Sequence, residues 1–211
     1  MPQARPPSLP PRARGALFAF ALLLSLGSVS SVTEQRKRLP PPAACGGELA
    51  GVWKSHNYSE RMEDWTQFTL YLDPDPADPS NVVGRIVNRS WEGTPEQSEP
   101  PASCDGRGHW VVSMDARGQA HGEQIEVWGV GEWRLDEVLC GDGDFGYNLD
   151  HFTGTIDVER QEFQSLNNDG GNAVNEPTVF RRVRCKVDHT EPIGPVPPPP
   201  YSPPSSGCGW W

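Results

Sequence analysis

The chain has 211 residues, a length that suits one domain of ordinary size, and a formal net charge of -10. A surface of this sign repels phosphate backbones and anionic lipid headgroups, which argues against nucleic-acid partners and against membrane binding after removal of a leader. Cationic partners or metal ions suit it better. None of the five cysteines forms a C-x-x-C pair, so a zinc ribbon or a thioredoxin-type motif is not expected.

Residues 1–31 have the pattern of a cleaved signal peptide. Basic residues precede an apolar run at residues 16–26, and small residues follow it. The run is shorter than the roughly 20 residues that span a bilayer. We therefore expect a secreted, extracellular protein; the alternatives are an uncleaved signal anchor and an organellar transit peptide. Residues 32–44 are assigned to a linker.

Four cysteines lie in the region expected to fold, and an oxidising compartment would pair them. Four cysteines allow three connectivities. We expect Cys45 to pair with Cys185, because the two ends of a domain tend to lie close together. Cys104 would then pair with Cys140 and join a proline-rich loop to a glycine-rich one. Cys208 remains for an intermolecular disulfide.

Residues 45–187 show short alternating runs separated by turn residues, which predicts an all-β domain. Gly, Asn and Asp mark reversals at residues 115–122 and 167–172, so neighbouring strands should pair antiparallel. No window of 12 or more residues has a helical stripe. Strands are predicted at residues 49–58, 67–72, 82–91, 109–114, 124–130, 132–138, 151–158, 162–166 and 178–185.

These runs form an eight- or nine-stranded antiparallel meander. We expect it to close into a barrel, because closure removes the exposed edges that a small secreted sheet must otherwise protect. About eight strands leave an interior that is filled by side chains or holds one ligand. A β-sandwich is the alternative.

Residues 51–53 (Gly-Val-Trp) resemble the G-x-W start of lipocalins and the similar start of avidin-type barrels, both of the calycin type. Those families hold a basic residue near the end of the last strand that packs against this Trp. Arg181, Arg182 and Arg184 occupy that place here. The resemblance implies a small closed barrel with such a contact at Trp53.

Strand alternation separates these arginines into two faces. Arg181 shares its face with Val179 and Val183, the more aliphatic side of the strand. We therefore expect Arg181, rather than Arg182, to lie over the ring of Trp53.

Tryptophan rings are the candidate ligand-binding groups, because an indole either fills a core or lines a pocket. Trp65, Trp91 and Trp128 are the candidates, since their strand phase or loop position exposes them. Core packing is expected for the other three strand tryptophans, which are Trp53, Trp110 and Trp133.

Residues 140–150 offer oxygen ligands at alternate positions, Asp142, Asp144, Asn148 and Asp150, which suits calcium. The EF-hand pattern fails, however, so a solvated turn is expected and any metal is left open. Asp150 and His151 are neighbours on a strand and should point to opposite faces. No H-E-x-x-H or G-x-S-x-G motif is present, so neither an enzyme nor a cofactor is expected.

Two sequons, at Asn57 and Asn88, are candidate glycosylation sites of a secreted chain, although both lie in predicted strands. Residues 188–211 form a proline-rich tail expected to be disordered. Residues 195–204 should be an extended polyproline II rod and resemble the repeats of extensin-type, hydroxyproline-rich proteins.

These observations favour a secreted, non-enzymatic binding module that captures a small apolar or carbohydrate ligand on a Trp-lined surface. One alternative is a structural or adhesion protein of an extracellular matrix or cell wall, with chains coupled through Cys208. The other is a hydrolase with an unrecognised carboxylate site.

Overall fold

The computed structural model describes residues 31–46, 49–141, 145–171 and 173–190. Within them the chain forms one short helix, α1 (Val32–Arg38), and nine strands. The strands are β1 (Gly51–Lys54), β2 (Asn57–Ser59), β3 (Asp64–Pro74), β4 (Asn81–Glu92), β5 (His109–His121), β6 (Gln124–Leu139), β7 (His151–Asp157), β8 (Glu162–Asn168) and β9 (Val174–Arg184).

Eight of the strands close into an antiparallel barrel. From β3 to β9 each strand pairs with the next, and β1 pairs with both β3 and β9. Trp53 lies opposite Leu70 on one side and Arg182 on the other, which closes the ring. The ninth strand, β2, extends the sheet beside the start of β3. The all-β barrel prediction is confirmed, and the sandwich alternative is excluded.

Alternation along each strand sends one set of side chains into the barrel. Phe68, Leu70 and Leu72 point inward, as the sequence predicts, and belong to one large apolar cluster. The rings of Phe68 and Phe180 both pack against Phe152, with centroids 5.0 and 4.9 Å away. This cluster fills the end of the barrel where β3 and β9 finish.

Several of the predicted strand boundaries are wrong, and the strand predicted at residues 49–58 forms two strands, β1 and β2. The reversal expected at residues 115–122 lies only at its last residues, where Gly122 has a φ of 66°. The residues before it continue β5 to His121. The two strands predicted at residues 124–130 and 132–138 form one strand, β6, and Gly131, with a φ of 76°, lies at a register irregularity inside it. A bulge of this kind changes the direction of a strand without ending it.

Helix α1 occupies residues that the sequence assigned to a linker. Ser31 caps it by accepting a hydrogen bond from the backbone N–H of Glu34. The fully buried Gln35 donates to the carbonyl of Pro177 and accepts from the N–H of Val179, both at 2.8 Å. Gln35 therefore satisfies the backbone of β9 along the stretch that β1 does not cover.

The basic residue over Trp53 is Arg182, whose guanidinium carbon lies 4.6 Å from the ring centroid. The expectation that Arg181 makes this contact is wrong. Arg181 points to the outer face and pairs with Glu162. Helix α1 covers the outer face of β9, including the buried Val179, so apolar residues occur on both faces of the strand. The more aliphatic face is therefore the outer one, and its composition does not identify the interior.

Replacing Arg182 by alanine is expected to lower the free energy of unfolding by about 2–4 kcal/mol, because it removes a buried stem and a cation–π contact from the closed end of the barrel. Urea unfolding followed by tryptophan fluorescence measures the change. The control is Arg117→Ala on the exposed face of β5, expected within about 0.5 kcal/mol of the wild type. Equal effects of the two substitutions would show that the Trp53 contact does not stabilise the barrel.

Both predicted disulfides are confirmed. Cys45 pairs with Cys185, with Cα atoms 5.4 Å apart, and Cys104 pairs with Cys140, with Cα atoms 5.0 Å apart. The first bond ties the segment before β1 to the end of β9. The second ties the loop between β4 and β5 to the end of β6. Cys208 and residues 195–204, predicted to form a polyproline II rod, lie outside the described residues.

Candidate ligand cavity

The barrel is packed at one end and hollow at the other. A cavity of about 1040 Å³ opens to solvent at the end where β3, β5, β7 and β9 begin and β4, β6 and β8 finish. Phe68 lies at its base, where the apolar cluster begins. The position follows from the sequence of the strands, because their inward residues are large and apolar toward the closed end but polar or small toward the open one, as with Thr66 and Ser90.

Residues 145–150, which precede β7, form one wall of the cavity. Strand β6 pairs with β7 only as far as Trp128 and His151, so the barrel wall parts beyond them. Residues 145–150 fill this opening, and Phe145, Tyr147 and Leu149 pack against the interior cluster. The ring of Phe145 stacks on Trp133 at 5.7 Å.

Aromatic rings therefore surround the space. Phe145 lies 5.9 Å from Trp110, centroid to centroid, and Trp110, Phe145, Tyr147 and Phe68 all line the cavity. Such rings contribute large apolar area with little loss of side-chain entropy on binding. Trp110 and Trp133 are partly buried against the core, as expected, although Trp110 also faces the cavity.

A buried polar network forms the floor beside these rings. The carboxylate of Asp150 accepts a hydrogen bond from the hydroxyl of Tyr147 at 2.8 Å and another from the side-chain amide of Asn167 at 2.9 Å. The amide of Asn88 donates to the Tyr147 oxygen at 2.6 Å, and the Ser90 hydroxyl donates to Asn88 at 3.0 Å. The network fixes the orientation of Asp150 within the cavity lining.

Asp150 is 2 % exposed, and burial raises its pKa to about 7. The hydrogen bonds from Asn167 and Tyr147 act in the opposite direction but are weaker. Burial also raises the pKa of the Tyr147 hydroxyl well above its usual value. Among the described residues, no Lys, Arg or His forms an ion pair with Asp150. Within the described residues, the Asp150 carboxylate is therefore hydrogen-bonded only to neutral groups.

The rim of the cavity is acidic. Asp64 and Glu92 lie on one side of it, Asp169 and Glu176 on the other, and Arg61 is the one arginine among the described lining residues. Burial raises the pKa of Asp64, and the charge of Glu92 raises it further. Burial likewise raises the pKa of Glu176, with added repulsion from Asp64 and Asp169. The negative charges are thus close enough to destabilise one another.

Two of the three candidate ligand tryptophans are buried on the outside of the barrel. Trp65 and Trp91 are 0 % exposed and stack with centroids 6.1 Å apart. Their indole N–H groups donate to the carbonyls of Thr94 and Gln97, at 2.9 Å each, and the Arg38 guanidinium of α1 lies over Trp65. The loop after β4 contacts both rings and Arg38 covers Trp65, so the exposure on which their ligand-binding role was predicted is wrong.

Trp128 is only partly buried, on the outer face of β6, with its ring 6.5 Å from that of His151. It does not line the cavity. A ligand role for Trp128 stays a prediction, and the cavity and Trp128 cannot form one site.

The two sequon asparagines are buried as well. Asn57 is 3 % exposed and its amide lies 3.4 Å from the Thr178 hydroxyl, whereas Asn88 is 5 % exposed and belongs to the polar network. Both side chains point away from solvent, so the structure does not support the expected glycosylation, which stays a prediction.

Of the oxygen ligands at residues 140–150, where a solvated turn was expected, Asp142 and Asp144 lie outside the described residues. Asp150 faces the cavity rather than a solvated turn, and His151 points outward to Glu126, with Nε2 and Oε1 2.7 Å apart. The two neighbours thus face opposite sides, as expected. The described ranges contain no group of three or more His, Cys, Asp or Glu side chains that could hold a metal ion.

Sequence reasoning missed Phe145, Tyr147 and Asn167 as functional residues. One signal was present, since Phe145, Tyr147 and Leu149 alternate within the segment taken for a solvated turn. Apolar residues at every second position indicate an extended segment with one buried face. Asn167 gave no such signal, because it lies in a stretch that reads as a hairpin turn.

No protein-family model, no curated protein and no solved structure matches this chain.

Proposed function

We propose that this protein is a secreted, non-enzymatic binding protein that holds one small molecule in the open end of its barrel. The observation that supports this most strongly is the aromatic-walled cavity of about 1040 Å³, open to solvent at one end and closed by a packed core at the other. Ligand sites of proteins are typically concave, mostly apolar, and equipped with a few oriented polar groups. The rings of Trp110 and Phe145 and the network around Asp150 match that description.

The cavity replaces the exposed tryptophan surface as the proposed site. Its rings suit a flat apolar or aromatic ligand body, and the polar floor suits one hydrogen-bonding end. A carbohydrate, which stacks on aromatic faces and also needs many polar contacts, remains the second ligand class.

A lipocalin-like origin is part of the proposal. Three features support it: the closed eight-stranded antiparallel barrel, the Gly-Val-Trp start of β1, and the Arg182 guanidinium over Trp53. Fold alone does not define a ligand, so the proposal of function depends on the cavity.

Secretion is supported by the two disulfides, since such bonds persist in oxidising compartments. In the described part of the chain, no helix has the length and apolar character needed to cross a membrane. The matrix-protein alternative depends on Cys208, which lies outside the described residues, and the hydrolase alternative stays an untested prediction.

Filling the cavity should abolish binding. Thr66 lines the cavity from β3, so Thr66→Trp places an indole in the space without altering the packed end. We expect the neutral fluorophore N-phenyl-1-naphthylamine to bind the wild type with enhanced emission, and Thr66→Trp to weaken its binding at least about tenfold. A fluorescence titration at fixed protein concentration measures both.

The matched control is Gln67→Trp, which adds the same side chain one residue further along β3, on the outer face. It should bind the probe as the wild type does. Equal loss in both variants, or no binding by the wild type, would contradict the proposed site.

A further inference from the structure

We propose that the ligand of the cavity is a cation, a protonated amine carried on an apolar or aromatic body, with its ammonium group bound by Asp150. This inference rests on the proposed function and specifies its ligand class. It is argued from the charges around the cavity, from the contacts of Asp150 and from the arrangement of the aromatic rings.

The cavity carries a strong excess of negative charge. Its described lining has one arginine, Arg61, against five carboxylates, which are Asp64, Glu92, Asp150, Asp169 and Glu176. A concave site with charges of one sign and walls of low polarity concentrates the field and attracts ligands of the opposite sign. An anionic ligand would face repulsion from both the rim and the floor.

Asp150 has room to accept further hydrogen bonds. Each of its oxygens takes one hydrogen bond in the network, Oδ2 from Tyr147 and Oδ1 from Asn167, and a carboxylate offers about four lone-pair sites in all. Both donors are neutral, so they hold the group in place without cancelling its charge. An ammonium donates up to three hydrogen bonds and would supply the missing positive charge.

The aromatic walls suit the same ligand. Tyr147 belongs both to the network and to the lining, so a cation at Asp150 would lie near a ring whose face attracts positive charge. Trp110 and Phe145 lie further along the lining and would receive the apolar body. The charged end and the apolar end of one ligand thus have separate places in one cavity.

A bare metal ion is a poorer match. Asp150 is held by Asn167 and Tyr147, and the described residues contain no cluster of three or more ligating side chains around it. Hard cations such as Ca²⁺ take six to eight oxygen ligands, typically with several carboxylates in direct contact. One oriented carboxylate beside aromatic rings fits an organic cation better.

The test compares three probes that share an indole ring: tryptamine, which is cationic at neutral pH, tryptophol, which is neutral, and indole-3-propionate, which is anionic. Isothermal titration calorimetry at pH 7.5 gives each dissociation constant on the full chain. We expect tryptamine to bind at least about tenfold more tightly than tryptophol, and indole-3-propionate to bind more weakly than either. The preference for tryptamine should weaken in high salt.

Two cavity variants and one control identify the residues that cause the preference for tryptamine over tryptophol. Asp150→Asn keeps the size of the side chain and should reduce the tryptamine-to-tryptophol ratio to about 2 or less, with tryptophol binding retained. Glu176→Gln removes a rim charge, leaves every hydrogen-bonding group of the network in place, and should reduce the ratio by a smaller factor. The control Glu159→Gln removes one charge from an exposed turn at the opposite end and should leave the ratio unchanged.

The outcomes separate this inference from the proposed function. Equal binding of the three probes, or a ratio unaffected by both cavity variants, would overturn the cationic ligand class while the binding function stands. Failure of all three probes and of N-phenyl-1-naphthylamine to bind would overturn both. If Asp150→Asn does not fold, the ratio in Glu176→Gln decides the question.

Discussion

Replacing Cys45 and Cys185 together by alanine is expected to lower the free energy of unfolding by about 5 kcal/mol. The bond joins residues 140 positions apart, so its loss releases a very long loop in the unfolded chain. The same ends are also joined by the pairing of β1 with β9 and by the hydrogen bond from the Ala43 N–H to the Arg182 carbonyl at 2.9 Å. Urea unfolding followed by tryptophan fluorescence gives the difference in stability.

The matched control is the double alanine variant of Cys104 and Cys140, which opens a loop of 36 positions. The chain-entropy relation gives a smaller loss here, about 4 kcal/mol. A larger loss in this control than in the Cys45 and Cys185 variant would contradict the role assigned to the outer bond.

Asp150→Asn should remove a dependence of stability on pH that the wild type shows between about pH 4 and 7. The pKa of Asp150 is raised from 3.8 to about 7 in the folded protein, so the folded state holds a proton that the unfolded state has already lost. The contribution of Asp150 to stability therefore falls as the pH rises through this window and is constant above it. The full loss is at most about 4 kcal/mol.

The free energy of unfolding, measured by urea titration at pH values from 4 to 8, checks this. The groups that act on Asp150 are Tyr147 and Asn167 through hydrogen bonds and Asp169 and Glu176 through their charges. The control is Asp169→Asn on the rim, which should retain most of the slope. An unchanged slope in Asp150→Asn would show that the buried carboxylate does not control it.

Much of the barrel could be predicted from the sequence because alternation is a local property. Phe68, Leu70 and Leu72 repeat at every second position, and that period alone assigns them to one face. The disulfides followed from position, since Cys45 and Cys185 bracket the strands. Neither inference needs the register between strands.

The sequence could not show which face of a strand points into the barrel, or which side chains are exposed, where another segment covers the outer face. Alternation correctly separated Arg181 from Arg182, but α1 buries the outer face of β9 and makes both faces apolar. Trp65 and Trp91 were likewise placed correctly outside the interior, yet the loop after β4 buries them. The alternation of apolar and polar residues within a strand does not show whether a distant segment covers that strand.

The cavity could not be predicted from the sequence for a different reason. Its network joins Asn88 to Tyr147, residues 59 positions apart, and Asp150 to Asn167, so it depends on which strands lie opposite one another. Each residue alone reads as an ordinary polar position in a strand or a turn. Only the register of the closed barrel brings them together.

The double pairing of β1 has a consequence for how the chain folds. Val52 pairs with Arg184 as well as with Tyr71, so the ring cannot close before the last strand has been synthesised. Contacts between residues this far apart in sequence make folding slow, because the entropy of a long loop is lost before any contact compensates it. During that delay β1 and the finished part of the sheet present unpaired edges. We therefore expect the nascent chain to need protection from aggregation until β9 joins β1.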